Sequence, residues 1–373
     1  MKITIVTGAF FPVPPILGGA VEKVWFALGQ EFVRQGHEVV HISRAHPQLP
    51  AVEQIDGVQH RRVGGFAQPR SIVRLKLLDL LYSWRVRRIL PPADILVTNT
   101  FWLPLLIRDT RRGLLYVHVQ RGPKGQMRWY AHVARLCAVS RAVAEDIIAQ
   151  APQLRAKVRA LPNALPRRVV PLTNAPREQT ILFVGRVHPE KGIELFIRAL
   201  AELPAKLLAS WKVKIVGPDE IELGGGGADF LQMLQTLARE SGVSVDWVGK
   251  IFDPAELSAT YRAASIFVYP SLAERGETFG LAPLEAMAEG CVPLVSNLAC
   301  FRDYITDNVN GFVFDHRAPA PEANLATRLR EMLEFSPEKL ATLRGAAHAT
   351  AREFDVARVA PRYLEDFASL LAA

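Results

Sequence analysis

The chain has 373 residues, of which 49% are hydrophobic, and this composition excludes an intrinsically disordered protein. A chain of this length is too long for one compact core and fits two domains. Its net charge of +8 is unevenly divided. Residues 1–176 carry 25 Lys and Arg against 10 Asp and Glu, a net +15, whereas residues 177–373 carry 20 against 27, a net −7. We therefore expect the first half to meet an anionic partner, such as an acidic lipid surface, a phosphorylated glycan or a nucleic acid.

The cysteine content indicates a reducing compartment. Cys137, Cys291 and Cys300 are few, odd in number and without metal-ligand spacing, so no disulfide framework is predicted. The amino-terminal MKITIVTGAFFPVPP has too short an apolar run for a signal peptide and is typical of a first buried strand. No stretch reaches the ~20 apolar residues of a membrane span. We expect a cytoplasmic protein that can touch the inner face of a membrane without crossing it.

Short apolar segments alternate with helical patterns along the chain. In the first half we predict strands over residues 2–6, 38–42, 95–98, 114–118 and 138–140, with a helix over 20–35 that Gly36 ends. In the second half we predict strands over residues 180–184, 214–216, 245–248, 266–269 and 293–296. This alternation predicts an α/β protein of two doubly wound, Rossmann-like domains facing across a cleft. The polar segment 165–180 is the predicted linker between a domain over 1–168 and another over 177–354.

In such sheets, ligands bind at the carboxyl ends of the strands, next to helix amino termini. Gly18 and Gly19 follow the first strand and immediately precede a helix. Glycine lets the backbone approach a ligand closely, and a helix start offers free N–H groups to an anion. An ordinary glycine turn into a helix explains the pair equally well. The spacing is not G-x-G-x-x-G, so it does not predict dinucleotide binding.

The segment GRVHPEKG follows the predicted strand over 180–184 and contains two cations, Arg186 and Lys191. A guanidinium fork, an ammonium point charge and a helix start near Gly192 together suit a diphosphate. The alternative is a solvated turn with two surface charges.

The segment ERGETFGLAPLEAMAEG contains two glutamates eight residues apart, Glu277 and Glu285. Pro283 and Gly290 suit the start and the end of a helix. Glu285 is then expected in the first helical turn, where the helix dipole favours a carboxylate. Glu277 precedes the helix in a loop, where it can accept hydrogen bonds from sugar hydroxyls.

Together these segments resemble the retaining family-4 glycosyltransferases of the GT-B fold. The resemblance covers nearly the whole chain and is carried by the E-x7-E pattern from Glu277 to Glu285, FVGRVHPEKG at 183–192, EAMAEGCVPLVSN at 285–297, GFVFD at 311–315, GGAVEKV at 18–24, His118, AVSRAVAEDI at 138–147 and LPNAL at 161–165. It implies a hexosyl- or other glycosyltransferase of class EC 2.4 that moves a sugar from a nucleotide-sugar to a glycan or lipid-linked acceptor with retention. The implied setting is cell-envelope polysaccharide or lipopolysaccharide-type biosynthesis.

The resemblance also implies roles for particular residues of the second half. Arg186 and Lys191 hold the diphosphate, and Glu285 holds the ribose. Glu277 holds the donor sugar and its phosphate. It does so together with the backbone of three residues, Phe279, Gly280 and Leu281. The residues that flank the base are Gly249, Lys250 and Ile251.

Residues of the first half complete the implied site. Gly18 and Gly19 contribute to donor binding, and His118 faces the transferred sugar. A strand-end histidine making a local bond is the alternative for His118. Because protein cations neutralise the diphosphate and no Asp-x-Asp motif is present, we expect no metal and no cofactor. The resemblance further implies that the carboxyl-terminal helix, about 355–373, packs back on the first domain.

The acceptor side is expected in the cationic first half. The segment 69–90 is basic and amphipathic and includes Arg74 and Lys76. Further on lie Arg121, Lys124 and Arg128, in a segment that we interpret as a mobile acceptor loop. We hypothesise docking on an anionic membrane. The alternative is a packed helix with a solvated basic face.

Three other interpretations explain the residues less well. Two carboxylates could form the acid/base couple of a hydrolase, but a ribose-binding Glu285 argues against it. A nucleotide-sugar epimerase of the same architecture would not explain the cationic half. A polyanion-binding protein would explain the cationic half. However, no nucleic-acid-binding motif is present, so no nucleic acid is expected as a partner. The run from Gly224 to Gly227 lacks the Lys-Ser/Thr of a P-loop and is interpreted as a flexible connection.

Overall fold

The computed structural model describes residues 1–69, 71–173 and 177–372, which divide into two compact units. One unit contains residues 1–168 together with the chain from residue 354 onward, and the other contains residues 169–353. Residue 70 of the predicted amphipathic segment and residues 174–176 of the predicted linker lie outside the described residues.

The first unit is an eight-stranded sheet with packed helices. Its strands are β1 (Lys2–Val6), β2 (Glu38–Arg44), β3 (Val52–Ile55), β4 (Val58–Val63), β5 (Ile95–Thr98), β6 (Leu114–Val119), β7 (Arg135–Ala138) and β8 (Val158–Ala160). Its helices before residue 168 are α1 (Ala20–Arg34), α2 (Ile72–Ile89), α3 (Leu103–Leu106) and α4 (Arg141–Gln150). The strand order is β3-β4-β2-β1-β5-β6-β7-β8, and all neighbours are parallel except β3 and β4.

The second unit is a six-stranded, fully parallel sheet. Its helices are α5 (Ile193–Ala201), α6 (Ala205–Leu208), α7 (Ala228–Glu240), α8 (Pro254–Ala263), α9 (Leu281–Ala288), α10 (Pro321–Leu333) and α11 (Pro337–Arg352); a last helix, α12 (Val356–Leu371), belongs to the first unit. The strands, in spatial order, are β11 (Asp246–Gly249), β10 (Lys212–Val216), β9 (Thr180–Val184), β12 (Ile266–Tyr269), β13 (Val292–Ser296) and β14 (Phe312–Phe314).

The predicted class, two parallel-sheet α/β domains, is confirmed, but four strands were not predicted. β3 and β4 form a hairpin around Asp56 and Gly57, whose φ angles of 46° and 82° are those of a tight two-residue turn. Their sequences are too polar to stand out as buried strands. β8 and β14 have three residues each, which is too short for a periodic signal.

One predicted strand is wrong in position. Residues 138–140 were predicted as a strand, but β7 ends at Ala138. Ser140 instead begins the next helix, because its Oγ accepts a hydrogen bond from the N–H of Val143 at 3.3 Å. The apolar run extends past the strand end into a helix cap, which explains the shifted prediction.

Helix α12 is held on the first unit by buried polar contacts. Asp366 accepts hydrogen bonds from the Tyr116 hydroxyl at 2.9 Å and from Arg135 Nε at 3.1 Å. Arg135 Nη2 lies 2.8 Å from the other oxygen of Asp366, so the ion pair is two-pronged. The side chain of Asp366 is 3% exposed. A buried charge pair of this kind is costly to break from one side only.

Replacing Asp366 by Ala should therefore destabilise the first unit. The change leaves Arg135 without its buried partner, and we expect a loss of about 3–5 kcal/mol in the free energy of unfolding. Urea unfolding followed by circular dichroism measures this as a shift of the transition to lower urea. Glu365→Ala, on the exposed side of the same helix, is the control and should change stability by less than about 0.5 kcal/mol. Equal midpoints for the two variants would contradict the expectation.

Candidate active site

The strand order of the second unit determines where a ligand can bind. β9 is the first strand of this sheet, β10 lies on one side of it and β12 on the other. The connections leaving β9 and β12 therefore diverge to opposite faces of the sheet, which opens a crevice at their carboxyl ends. Arg186 follows β9 by two residues, and the loop that contains Glu277 follows β12. Two elements predicted to bind the donor thus meet at one edge of the sheet.

A buried ion pair joins these two elements. Lys191 Nζ lies 2.7 Å from Glu277 Oε2, and the two side chains are 9% and 11% exposed. The same oxygen accepts hydrogen bonds from the Tyr269 hydroxyl at 3.0 Å and from Ser271 Oγ at 3.4 Å. Burial alone would lower the pKa of Lys191, but neighbouring Tyr269 and Glu277 raise it above its usual value. Lys191 is therefore a fixed positive charge at neutral pH.

A glycine allows this close approach. Gly192 has a φ of 68° and immediately precedes α5. A Cβ at this position would lie 2.0 Å from the carbonyl oxygen of Pro270. Only glycine lets the start of α5 come this close to the chain leaving β12.

Arg186 also has partners in the second unit. Its Nη2 donates to Glu190 Oε1 at 2.5 Å, and its Nη1 donates to the carbonyl oxygen of Gly224 at 2.6 Å. The run from Gly224 to Gly227 was predicted to be a flexible connection, and this is wrong. Each of its four N–H groups donates to a backbone carbonyl oxygen of the segment 187–221, at 2.8–2.9 Å.

The prediction for Glu285 needs one correction. α9 begins at Leu281, so Glu285 lies one turn inside the helix rather than in its first turn. Glu285 is 8% exposed, and the Tyr261 hydroxyl donates to its Oε2 at 3.4 Å. α9 is buried over nearly its whole surface and is otherwise apolar, so a buried carboxylate at this position is unusual and indicates a functional role.

The remaining predicted donor residues of the second unit lie at two places. Phe279 is buried, with its ring centroid 5.5 Å from that of Tyr304, so its ring is packed in the interior of the unit. Gly280 has a φ of 77° and caps α9, and Leu281 is the first residue of that helix. A separate group lies at the edge strand of the sheet, where β11 ends at Gly249 and continues into Lys250 and Ile251. Lys250 forms an ion pair with Glu220.

In the first unit, Gly18 and Gly19 form the turn that enters α1, with φ angles of 75° and 94°. Sequence reasoning missed Glu22, in the first turn of this helix. Its carboxylate folds back against the turn, since a Cβ on Gly19 would lie 2.3 Å from Glu22 Oε2. Burial raises the pKa of Glu22 to about 7, although its own N–H group and Arg121 oppose the shift. The sequence signal that could have identified Glu22 is a carboxylate three residues after a Gly-Gly pair that enters a helix.

His118 is held by hydrogen bonds within the first unit, which agrees with the alternative interpretation of a histidine bonded to its protein surroundings. It is 1% exposed, and its Nδ1 accepts hydrogen bonds from Trp25 Nε1 at 3.1 Å and from Gln120 Nε2 at 2.8 Å. Because an indole N–H can only donate, the proton of the ring is on Nε2, which donates to the Tyr363 hydroxyl at 2.9 Å. Burial lowers the pKa of His118 to about 3, so the ring is neutral at physiological pH. Contact with a transferred sugar stays a prediction.

The predicted acceptor residues lie on two elements of the first unit. Arg74 and Lys76 are on α2. Arg121, Lys124 and Arg128 follow β6; the N–H of Lys124 donates to Gln126 Oε1 at 2.7 Å, and Arg128 Nε donates to the carbonyl oxygen of Gly125 at 3.1 Å.

α2 also exposes apolar side chains, which we call the α2 surface: Ile72, Val73, Leu77, Leu81 and Trp84, each at least 43% exposed. Positions 73, 77, 81 and 84 are spaced for one face of a helix. No helix among the described residues has the length and apolar character to span a bilayer.

The raised pKa of Glu22 predicts how stability depends on pH. Between its ordinary pKa of 4.5 and about 7, the folded protein holds a proton that the unfolded chain has lost, so stability falls as pH rises through this window. Glu22→Gln removes the charge, and it should gain up to about 3 kcal/mol over wild type above pH 7 and nothing below pH 4.5. Urea unfolding at pH 4.5 and pH 8 measures the difference. Glu145→Gln, on an exposed position of α4, should follow wild type at both pH values; if Glu22→Gln does the same, the carboxylate is not perturbed.

Two family models match this chain and together cover most of it. The Glycosyltransferase Family 4 model matches residues 18–167, and the Glycosyl transferases group 1 model matches residues 170–348. A D-inositol 3-phosphate glycosyltransferase of Segniliparus rotundus is 30% identical over 177 residues, which cover 47% of this chain and 36% of the relative. The match thus spans only about a third of the length of that curated relative.

Solved structures of lower identity share the fold over the whole chain. Sucrose-phosphate synthase from Thermosynechococcus elongatus superposes with a TM-score of 0.77 at 18% identity, covering 100% of this chain and 99% of the other. HepE of Anabaena, in complex with UDP-glucose, superposes with a TM-score of 0.74 at 18% identity, covering 99% and 100%. The two family models and these folds agree with the two-unit architecture. The chain belongs to the family-4 glycosyltransferases and has the GT-B fold.

Proposed function

We propose that this protein transfers a sugar from a nucleoside-diphosphate sugar to a hydroxyl group of a glycan or lipid-linked acceptor, with retention of configuration. The bond between the anomeric carbon and the leaving diphosphate breaks, and a bond from the acceptor oxygen to the same face of that carbon forms. The acceptor proton passes to the leaving phosphate, so the products are the glycosylated acceptor and a nucleoside diphosphate.

One observation carries the proposal: two cations lie at the carboxyl edge of the parallel sheet, where its connections diverge. Lys191 stays protonated because the carboxylate of Glu277 is paired with it. Arg186, five residues earlier in the chain, is fixed by hydrogen bonds to Glu190 and to the carbonyl oxygen of Gly224. A preorganised positive charge aimed at a departing diphosphate stabilises the transition state without reorganisation. These two side chains supply the charge that would otherwise call for a metal ion, so the proposed reaction is metal-independent.

The two glutamates then have different tasks. Glu277 Oε2 is occupied by three donors, whereas Oε1 makes no hydrogen bond within the described parts of the chain. That oxygen is the group that we assign to a hydroxyl of the donor sugar. Glu285 is assigned to the ribose, whose diol suits a fixed carboxylate.

Other activities are less well supported by these contacts. A hydrolase would need two carboxylates acting as acid and base, but Glu277 is committed to a lysine. The comparisons favour neither an epimerase nor a polyanion-binding protein.

Nucleotide binding is the direct test of the donor site. We expect one of UDP, GDP, ADP and TDP, or its sugar, to raise the melting temperature, equally with EDTA and with Mg²⁺. Arg186→Ala should abolish most of this shift, because it removes one of the two cations. Arg198→Ala, which removes an exposed arginine of α5, is the matched control and should leave the shift unchanged. No shift with any of these nucleotides would contradict the proposed function.

The same proteins allow turnover to be separated from binding. Glu277→Ala should lower the rate of sugar transfer or donor hydrolysis at least a hundredfold while weakening nucleotide binding only modestly, because the bound diphosphate then provides the anionic partner that Lys191 needs. The rate falls because Glu277 is assigned to the sugar and to the orientation of Lys191. Equal turnover in this variant and wild type would remove the role assigned to Glu277.

We further propose that the first unit binds the acceptor and docks on an anionic membrane through the α2 surface. Exposed apolar side chains on one helical face are unusual for a protein that stays in water. They are bordered by cations of the same helix: Arg74, Lys76, Arg85, Arg87 and Arg88. The guanidinium of Arg88 lies 3.4 Å from the centroid of the Trp84 ring. Apolar burial combined with attraction to acidic headgroups is how an interfacial helix binds a bilayer.

Vesicle sedimentation tests the docking proposal. We expect the protein to bind phosphatidylglycerol-containing vesicles at 20 mM salt and to dissociate at 500 mM. Leu77→Ser combined with Trp84→Ser should weaken binding at least tenfold, since it removes much of the buried apolar area. Val309→Ser, at an exposed apolar residue of the second unit, is the control and should bind like wild type. The absence of binding at low salt, or equal binding by the double variant, would disprove the docking.

A further inference from the structure

Arg186 is held on two sides by contacts that the proposed reaction does not itself require. Glu190 Oε1 accepts from its Nη2 at 2.5 Å, and the carbonyl oxygen of Gly224 accepts from its Nη1 at 2.6 Å. A guanidinium is a rigid plane with five N–H donors, so two anchors on different nitrogens define the orientation of the plane. The side chain is 40% exposed. Its other N–H groups are therefore in reach of a ligand from solvent.

Glu190 also connects Arg186 to the loop that contains Glu277. Its backbone carbonyl oxygen accepts a hydrogen bond from the N–H of Leu272 at 2.8 Å and lies 3.3 Å from Ser271 Oγ. The same Ser271 Oγ lies 3.4 Å from Glu277 Oε2. Nδ1 of His188 accepts a hydrogen bond from the N–H of Glu190 at 3.3 Å and lies 3.9 Å from the second oxygen of its carboxylate. The carboxylate of Glu190 is thus fixed at its backbone end and has Arg186 as its close partner.

The second anchor depends on glycine. Gly224 has a φ of 83°, and a Cβ there would lie 3.0 Å from Arg186 Nη1. At Gly225 a Cβ would lie 2.2 Å from the backbone of Asp219. The hydrogen bonds of the four-glycine run tie it to residue 187, which follows β9, and to residues 219–221, which follow β10. This compact turn is what brings a backbone carbonyl oxygen to the guanidinium.

We infer that Glu190 and Gly224 are positioning residues of the donor site: they orient the guanidinium plane of Arg186 toward the diphosphate of the nucleotide-sugar. This inference rests on the proposed function, because the diphosphate is the group that Arg186 is assigned to bind. A mobile arginine loses conformational entropy when it binds a ligand, whereas an arginine that is already fixed loses little. Glu190 and Gly224 therefore strengthen diphosphate binding through Arg186 without touching the ligand.

A double-mutant cycle tests whether Glu190 acts through Arg186. Binding of UDP, GDP, ADP and TDP is measured by titration calorimetry, up to millimolar ligand, for wild type, Glu190→Ala, Arg186→Ala and the double variant. For the nucleotide that binds wild type, we expect Glu190→Ala to weaken binding five- to tenfold. In the Arg186→Ala background the same change should have less than a twofold effect. Glu190→Gln keeps an acceptor oxygen and should bind within threefold of wild type.

The control cycle uses Glu194 and Arg198, an exposed pair with the same four-residue spacing on α5. Neither of these changes should alter nucleotide binding. Gly224→Ala provides a second route: its methyl group meets Arg186, so it should weaken binding in wild type and much less in Arg186→Ala. Gly224→Ala replaces Glu190→Ala in the test if Glu190→Ala lowers the melting temperature by more than 5 °C, since that variant would then be too unstable to interpret.

The outcomes separate this inference from the proposed function. If wild type binds none of the four nucleotides, the proposed function fails. If wild type binds one and Glu190→Ala weakens binding equally in both backgrounds, Glu190 does not act through Arg186 and the inference is overturned. It is also overturned if Glu190→Ala leaves binding unchanged or tightens it, since the carboxylate would then be a bystander or a competitor of the diphosphate.

Discussion

The candidate site depends on the need of a buried ammonium group for an anionic partner. Lys191 cannot lose contact with water and keep its charge unless a carboxylate compensates it, and Glu277 is that carboxylate. Because the two residues come from the connections after β9 and β12, their pairing also fixes the distance between those connections. Tyr269 and Ser271, which donate to the same oxygen, leave Glu277 little freedom to rotate. The geometry of the edge of the sheet thus follows from one electrostatic requirement.

The positions of the main strands and the cluster of donor residues could be predicted from the sequence, because apolar runs and the residues that follow them are local signals. Arg186 and Glu277 were placed at strand ends by this reasoning alone. Partners distant in sequence could not be predicted. Nothing local to His118 indicates that Tyr363, 245 positions away, occupies its ring nitrogen, and nothing local to Arg186 points to Gly224. The prediction that Glu285 lies in the first helical turn was wrong, because α9 begins at Leu281. That start depends on the left-handed conformation of Gly280, which the sequence does not reveal.

The charged groups near the carboxyl edges of the two sheets are treated in different ways. In the second unit, cations and carboxylates are paired: Lys191 with Glu277, Arg186 with Glu190, and Lys250 with Glu220. In the first unit, two titratable groups near the carboxyl edge lose their charge instead. Burial favours the neutral ring of His118 and the protonated carboxyl of Glu22. Most of the excess positive charge of this half remains at the surface, where it can attract an anionic partner over a distance set by salt.

The return of α12 to the first unit has a consequence for synthesis on the ribosome. Residues 169–353 are contiguous and can fold as soon as they emerge, whereas the first unit is interrupted by them. Until the chain from residue 354 onward is made, Arg135 and the hydroxyl of Tyr116 lack Asp366, and His118 lacks Tyr363. The unit begun first is therefore completed last. During translation the apolar surface that α12 covers, such as the ring of Phe32 against Phe367, therefore stays exposed to water until that helix has been made.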